Sequence, residues 1–105
     1  MTDTRVVMTT CGSLDEGRSI AQALVDRQLA ACVNIVPQVE SIYRWKGEVE
    51  TSSECLLLVK TTAAAFDRLR ETLSKLHSYD VPECIELTVD DGNEAYLDWV
   101  AGSVR

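Results

Sequence analysis

The stretch SIYRWKGEVE, Ser41 to Glu50, holds a hairpin turn at Lys46-Gly47, with two aromatic residues, Tyr43 and Trp45, leading into it. Extended runs flank the turn. Before it, Ala31 to Trp45 carries the β-formers Val33, Ile35, Val36, Val39 and Ile42, and Pro37 rules out a helix interior. After it, Glu48 to Lys60 ends in Cys55-Leu-Leu-Leu-Val59, an apolar run without alternation, as in a strand covered on both faces. A two-residue turn sets Trp45 opposite Glu48 and Val36 opposite Leu57. Each arm then holds about a dozen residues, where strands usually have about five or six. At roughly 3.3 Å per residue such an arm reaches ~40 Å. A compact chain of 105 residues has a diameter of about 30–35 Å. The hairpin therefore projects past its own body unless Pro37 bends it back.

Outward from the hairpin, Arg5 to Thr10 reads as a first strand. Ser13-Leu-Asp-Glu16 fits a capping box, in which the Ser13 hydroxyl accepts from the Glu16 N–H and the Glu16 carboxylate answers. The helix behind it, Leu14 to Leu29, sets Ile20, Ala21, Leu24 and Val25 on one side. Thr62 opens a second helix, whose stripe Phe66, Leu69, Leu73 and Leu76 is amphipathic. His77 sits in its last turn, where the helix dipole favours a cation. Pro82 precedes a fourth strand, Glu83 to Asp90, in which Ile85, Leu87 and Val89 alternate with polar residues. Asp91-Gly92 turns, Asn93 caps, and a short C-terminal helix carries Tyr96, Leu97, Trp99 and Val100.

This order is β-α-β-β-α-β plus a terminal helix, an α+β chain of ferredoxin-like pattern with an antiparallel sheet and a long β2–β3 hairpin. In that topology the second and fourth strands are edges. Pro37 lies in the second and Pro82 begins the fourth, and edges are where proline is tolerated. Residues 1–105 read as a single domain.

The net charge of −7 argues against nucleic acid and anionic membrane as partners. No segment approaches a membrane span, and MTDTRVVMTT lacks the build of a secretory signal. The expected location is cytoplasmic. Cys11, Cys32, Cys55 and Cys84 form no CxxC pair, and a reducing compartment keeps them as thiols.

A two-stranded ribbon is marginal alone and exposes strand edges. Both problems vanish if the arm pairs with another subunit, with Tyr43 and Trp45 as interface anchors. The alternative folds the ribbon back so that Trp45 and Tyr43 pack on Tyr96 or Trp99.

The run Leu29-Ala-Ala-Cys-Val-Asn-Ile-Val-Pro37, followed by Ser41-Ile-Tyr-Arg-Trp-Lys-Gly47, resembles the CutA (CutA1) family of divalent-cation tolerance proteins. Leu58-Val-Lys-Thr-Thr62, Tyr79-Asp-Val-Pro-Glu83 and Tyr96-Leu-Asp-Trp99 continue the likeness across the chain. The resemblance implies a cytoplasmic homotrimer with an intersubunit hairpin, a role in metal tolerance, copper or another divalent cation as ligand, and no attached reaction. It also implies likeness to PII signalling trimers, which bind small effectors in intersubunit clefts. The glycines here are scattered and form no phosphate-cradling loop.

In copper-binding members of the family the attributed ligands are a cysteine after the first strand and adjacent histidines near the end of the second helix. Cys11 and His77 match; Leu76 stands at the neighbouring position and cannot ligate. A thiolate with one imidazole suits Cu(I) or Zn(II) better than Cu(II) and needs further donors, from another subunit or from Asp80 or Glu83. Taken alone, His77 reads as a helix-end histidine and the cysteines as buried small hydrophobes. Cys11 lies just before a helix N-terminus, a position that favours a thiolate. The matching positions Lys60, Tyr79 and Glu83 are candidates for an intersubunit cleft. Acylphosphatase chemistry needs an arginine in the first βα loop, and Arg18 lies inside the helix. A Cys11–His77 nucleophile pair requires contact and an orienting third group, which the sequence does not demand.

Overall fold

The computed structural model describes all 105 residues, Met1–Arg105. In chain order the elements are β1 (Thr4–Cys11), α1 (Leu14–Asp26), β2 (Cys32–Trp45), β3 (Glu48–Thr62), α2 (Phe66–Leu76), β4 (Ile85–Thr88) and α3 (Glu94–Ser103). The strands form one antiparallel sheet in the order β2-β3-β1-β4, so β2 and β4 are its edges. The α+β ferredoxin-like expectation is met.

One face of the sheet is closed by α1 and α2. Val7, Cys11, Leu57 and Val59 meet Ile20, Leu24, Leu69 and Leu73 in a single buried cluster. At the start of α1, Ser13 Oγ accepts from the Glu16 N–H at 3.1 Å. The Glu16 carboxylate reaches Gly12 N at 3.3 Å, one residue before the partner a capping box supplies. The helix stops at Asp26, not Leu29, because Gln28 turns left-handed (φ 56°). The N–H groups of Leu29 and Ala30 then both return to the Leu24 carbonyl. That early stop leaves Val25 38% exposed, off the apolar side where periodicity had set it.

Two further boundaries and one register differ from the sequence reading. Thr62 ends β3 instead of opening a helix, and a 3-10 turn, Ala63–Ala65, comes before α2. Strand β4 is four residues long. The Thr10 carbonyl, which would meet Glu83 in a continued register, is taken by His77 Nε2 at 2.7 Å. In β2, Val36 faces Leu56 and Val39 faces Glu54, so Pro37 and Gln38 share one position opposite Cys55. This is a β-bulge at a residue with no N–H to give, and it moves Val36 away from Leu57.

Beyond Cys11, β1 has ended, and β3 from Glu54 to Glu48 touches only β2. That two-stranded ribbon makes the molecule 44 Å long against 26 Å and 22 Å in the other directions. The accessible surface is 6472 Å², where about 5,800 Å² is usual for this mass. The turn is left-handed at both Lys46 (φ 51°) and Gly47 (φ 82°), which matches the twist of the arms. The ribbon does not fold back: Tyr96 and Trp99 pair with each other at 5.5 Å. Trp45 stays 55% exposed, and its ring meets only its neighbour's ammonium, Lys46 Nζ, at 5.9 Å.

The second face of the sheet is open and apolar. Val6, Met8, Leu56 and Leu58 are half-buried there, beside exposed Ile85 and Leu87. Helix α3 lies across the end where β2 begins. Tyr96 OH meets Cys32 Sγ at 3.6 Å, and the Arg105 N–H donates to Gln28 O at 2.9 Å.

Candidate functional site

A cleft of about 640 Å³ opens at the root of the ribbon. Tyr43 and Trp45 line it from β2, Glu50 and Glu54 from β3, and Tyr79, Asp80 and Glu83 from the loop before β4. It carries four carboxylates and no basic side chain. The structure thus brings Tyr79 and Glu83 together with Tyr43 and Trp45. Lys60 is not with them. It lies on the open face opposite Cys32 and Val6, towards the far end of the sheet, and donates to Asn34 Oδ1.

The loop that shapes the cleft is tied down residue by residue. His77 ends α2 through its N–H to Leu73 O, and its side chain is wholly buried. Nε2 donates to Thr10 O at 2.7 Å, while Nδ1 accepts from the Tyr79 N–H at 3.0 Å. Glu16 Oε2 also approaches Nδ1, at 3.9 Å. The histidine expected at the helix end is there, with its ring buried and bonded to backbone groups on both sides. Glu16 Oε2 accepts from the Ser78 N–H at 2.7 Å. Burial pushes the Glu16 carboxyl up, but the bonds from Ser78, then the nearby His77 and the bond from Gly12, outweigh it and hold the group below the usual carboxylate range. Tyr79 OH donates to Glu54 at 2.8 Å. Burial, then this bond to a carboxylate, raises the phenol well above its ordinary value.

Cys11 is fully buried on the helix side of the sheet. Burial first, then Cys55, Glu16 and Glu54, push its thiol up to about 12. The thiolate expected from its place before α1 is therefore corrected: dehydration and neighbouring negative charge override the helix end. Cys55 is as buried as Cys11, and Cys32 and Cys84 are half-buried.

These placements bear on a metal directly. Cys11 is sealed in the core and both His77 ring nitrogens are bonded to backbone groups, so neither is open to copper in this single chain. No three His, Cys, Asp or Glu side chains converge to hold an ion. The same geometry removes a Cys11–His77 nucleophile pair. The sequence reading missed Glu16 and Glu54 as organisers of the loop. Glu16 was visible only as a helix cap, and Glu54 is located only by the register of β3.

Comparison with known proteins accords with this architecture. Residues 5–103 match the family described as CutA1 divalent ion tolerance protein. The Divalent-cation tolerance protein CutA of Thermus thermophilus is 55% identical over 95 residues, 90% of this chain and 92% of that protein. Protein CutA, chloroplastic, of Arabidopsis thaliana is 43% identical over 95% of this chain. There the chain spans about half the relative's length (55%). Among solved structures, the Thermus thermophilus Cut A1 protein superposes with a TM-score of 0.95 at 51% identity, covering 97% of this chain and 99% of that one. A CutA from Xylella fastidiosa gives 0.96 at 36% identity, covering 99% and 100%. One solved relative from Archaeoglobus fulgidus is titled periplasmic; in this chain no helix is long and apolar enough to cross a membrane. With the family matched over nearly the whole chain and the ribbon-bearing fold shared, the chain belongs to the CutA1 family of divalent-ion tolerance proteins.

Proposed function

We propose that this chain serves divalent-cation tolerance in the cytoplasm as a homotrimer, and that it does so without catalysing a reaction. The observation that carries the reading is the ribbon. It leaves Trp45 55% exposed in line with the open apolar sheet face, and Ile42 66% and Val49 63% exposed on its other side. A lone soluble chain rarely leaves so much apolar surface wet. Copies of the same chain cover it most economically: ribbon edges pair with ribbon edges, and Tyr43 and Trp45 become anchors. Tyr79, Glu83 and Lys60 then face neighbouring copies and fix their register, with Lys60 acting at the opposite end of the face from the other two.

The metal-facing part is weak and carboxylate-based. Copper meets the cleft at Asp80 and Glu83, where donors from a neighbouring copy add to them, and not at Cys11 and His77. Two measurements test this. Copper titration of Cys11→Ser should match wild type, whereas Asp80→Asn with Glu83→Gln should weaken binding; the opposite pattern refutes the placement. In cells, loss of the gene should lower the copper concentration that halves growth. Wild type should restore it and Trp45→Ala should not. Growth that is indifferent to the gene across copper, zinc and cadmium would sink the tolerance reading.

A further inference from the structure

Cys11 and Cys55 stand directly opposite each other across β1 and β3. Both side chains point to the helix side of the sheet, and both are buried in the same cluster. Directly opposed residues of an antiparallel pair have Cα atoms about 4.5 or 5.5 Å apart. Disulfides span Cα separations of about 4.4–6.8 Å. Opposed Cβ atoms lie about 4.5–5.5 Å apart, so a modest closure brings them to the ~3.8 Å a disulfide prefers. No other two of the four cysteines are paired in the sheet register.

The position of this pair in the fold is specific. Cys11 is the last residue of β1, so the Cys11–Cys55 rung is where the sheet stops being wider than two strands. On its other side, Cys55 faces the Pro37–Gln38 bulge of β2. The pair is thus the root of the ribbon. Above it, Gly17 of α1 has no side chain, and a Cβ there would lie 2.5 Å from Cys55 Sγ. The helix is seated directly on the sulfur.

We propose that Cys11 and Cys55 are an oxidisable dithiol that closes into a cross-strand disulfide and clamps the root of the ribbon. The oxidant is a low-molecular-weight disulfide, R–S–S–R. One cysteine sulfur attacks it, forming a mixed disulfide and releasing R–SH. The second sulfur attacks the mixed disulfide, forming the Cys11–Cys55 bond and releasing a second R–SH. Two protons and two electrons leave the pair and reduce one R–S–S–R. The reaction is slow while the core is closed, since both sulfurs are shielded from solvent. Such reversible closure is the form that disulfides take in reducing compartments.

The test uses the intact protein equilibrated in a series of oxidised and reduced glutathione mixtures. Free thiols are then alkylated in denaturant and the peptides are mapped by mass spectrometry. A linked Cys11–Cys55 peptide is expected, with Cys32 and Cys84 alkylated. Hydrogen exchange should slow at amides from Glu50 to Leu57 in the oxidised wild type. It should stay unchanged by oxidant in Cys11→Ser and Cys55→Ser. Linkage through Cys32 or Cys84 overturns the proposal. So does a persistent glutathione adduct on Cys11 or Cys55, or four free thiols in a mixture that oxidises the unfolded chain. A closed bond that leaves ribbon exchange unaltered overturns the clamp. The mapping on wild type stands even where a serine variant fails to fold.

Discussion

Replacing Trp45 by alanine separates assembly from folding. In the single chain Trp45 is 55% exposed at the tip of a ribbon and opposite Glu48. Its removal should cost the isolated fold less than about 1 kcal/mol, as for other surface positions. In a trimer the exposed part becomes buried. A tryptophan presents up to about 250 Å², so roughly 140 Å² is at stake in each copy. At about 25 cal/mol per Å² this is ~3.5 kcal/mol per copy, hence ~10.5 kcal/mol over three. The midpoint of a monomer–trimer equilibrium scales as the square root of its dissociation constant. A loss of ~10.5 kcal/mol, at about 1.4 kcal/mol per decade, therefore shifts the midpoint upward by roughly four decades.

Sedimentation velocity over a dilution series measures that shift, and circular dichroism at each dilution checks that dissociated chains keep their secondary structure. If Trp45→Ala sediments as wild type down to the lowest concentration, the ring is not an anchor and the ribbon is not the interface. If instead it unfolds at concentrations where wild type is assembled, folding and assembly are not separable here, and the energetic division above is wrong.

Other outcomes follow from individual contacts. Gly17→Ala forces a methyl to 2.5 Å from Cys55 Sγ. It should destabilise by about 1–3 kcal/mol in chemical denaturation despite better helix propensity, and Cys55→Ala should recover most of that in the double variant. The folded-state value of Glu16 lies below its unfolded one. Its contribution is therefore fully present above the unfolded pKa, about 4.3, and fades as pH falls through the lower folded value. Glu16→Gln should cost about 1–2 kcal/mol near neutrality and flatten the acid limb of the stability profile; an acid limb identical to wild type would contradict this. Tyr79→Phe removes the bond to Glu54 and should cost about 0.5–1 kcal/mol. It should also remove one late-ionising phenol from an alkaline absorbance titration.

The fold was legible where one residue type forces one geometry. Lys46-Gly47 fixed the turn, two prolines marked the edges, and the Phe66–Leu76 stripe gave α2 its buried side. The errors came where a partner distant in sequence decides. No local signal shows that Gln28 will adopt a left-handed conformation, and β4 is cut short by a histidine from another element. The register at Val36 depended on a bulge that Pro37 permits but does not require. The site followed the same division. The aromatic tip and Tyr79-Asp-Val-Pro-Glu83 were visible as motifs, and they do converge on one cleft. The chemistry assigned to Cys11 and His77 was not readable, because burial and hydrogen bonding, not residue type, set what a thiol or an imidazole can do.

Those two environments also decide how a cation can meet this protein. Freeing His77 means breaking two part-buried bonds to backbone groups, about 0.5–1.5 kcal/mol each. Ionising Cys11 at neutral pH, from a thiol pushed up to about 12, costs on the order of 7 kcal/mol at 1.36 kcal/mol per unit. Together these match or exceed the ~8 kcal/mol that a micromolar site yields. An ion that coordinates there must first break the His77 bonds that hold the loop and reach a thiol sealed in the core. The carboxylates of Asp80 and Glu83 are already exposed and need no such rearrangement. If the chain assembles as proposed and meets copper at those carboxylates, binding should track assembly: Trp45→Ala should weaken copper binding at concentrations where it dissociates the trimer and leave it unchanged where the trimer persists. Copper affinity that ignores the oligomeric state would place the contact inside the single chain and refute this reasoning.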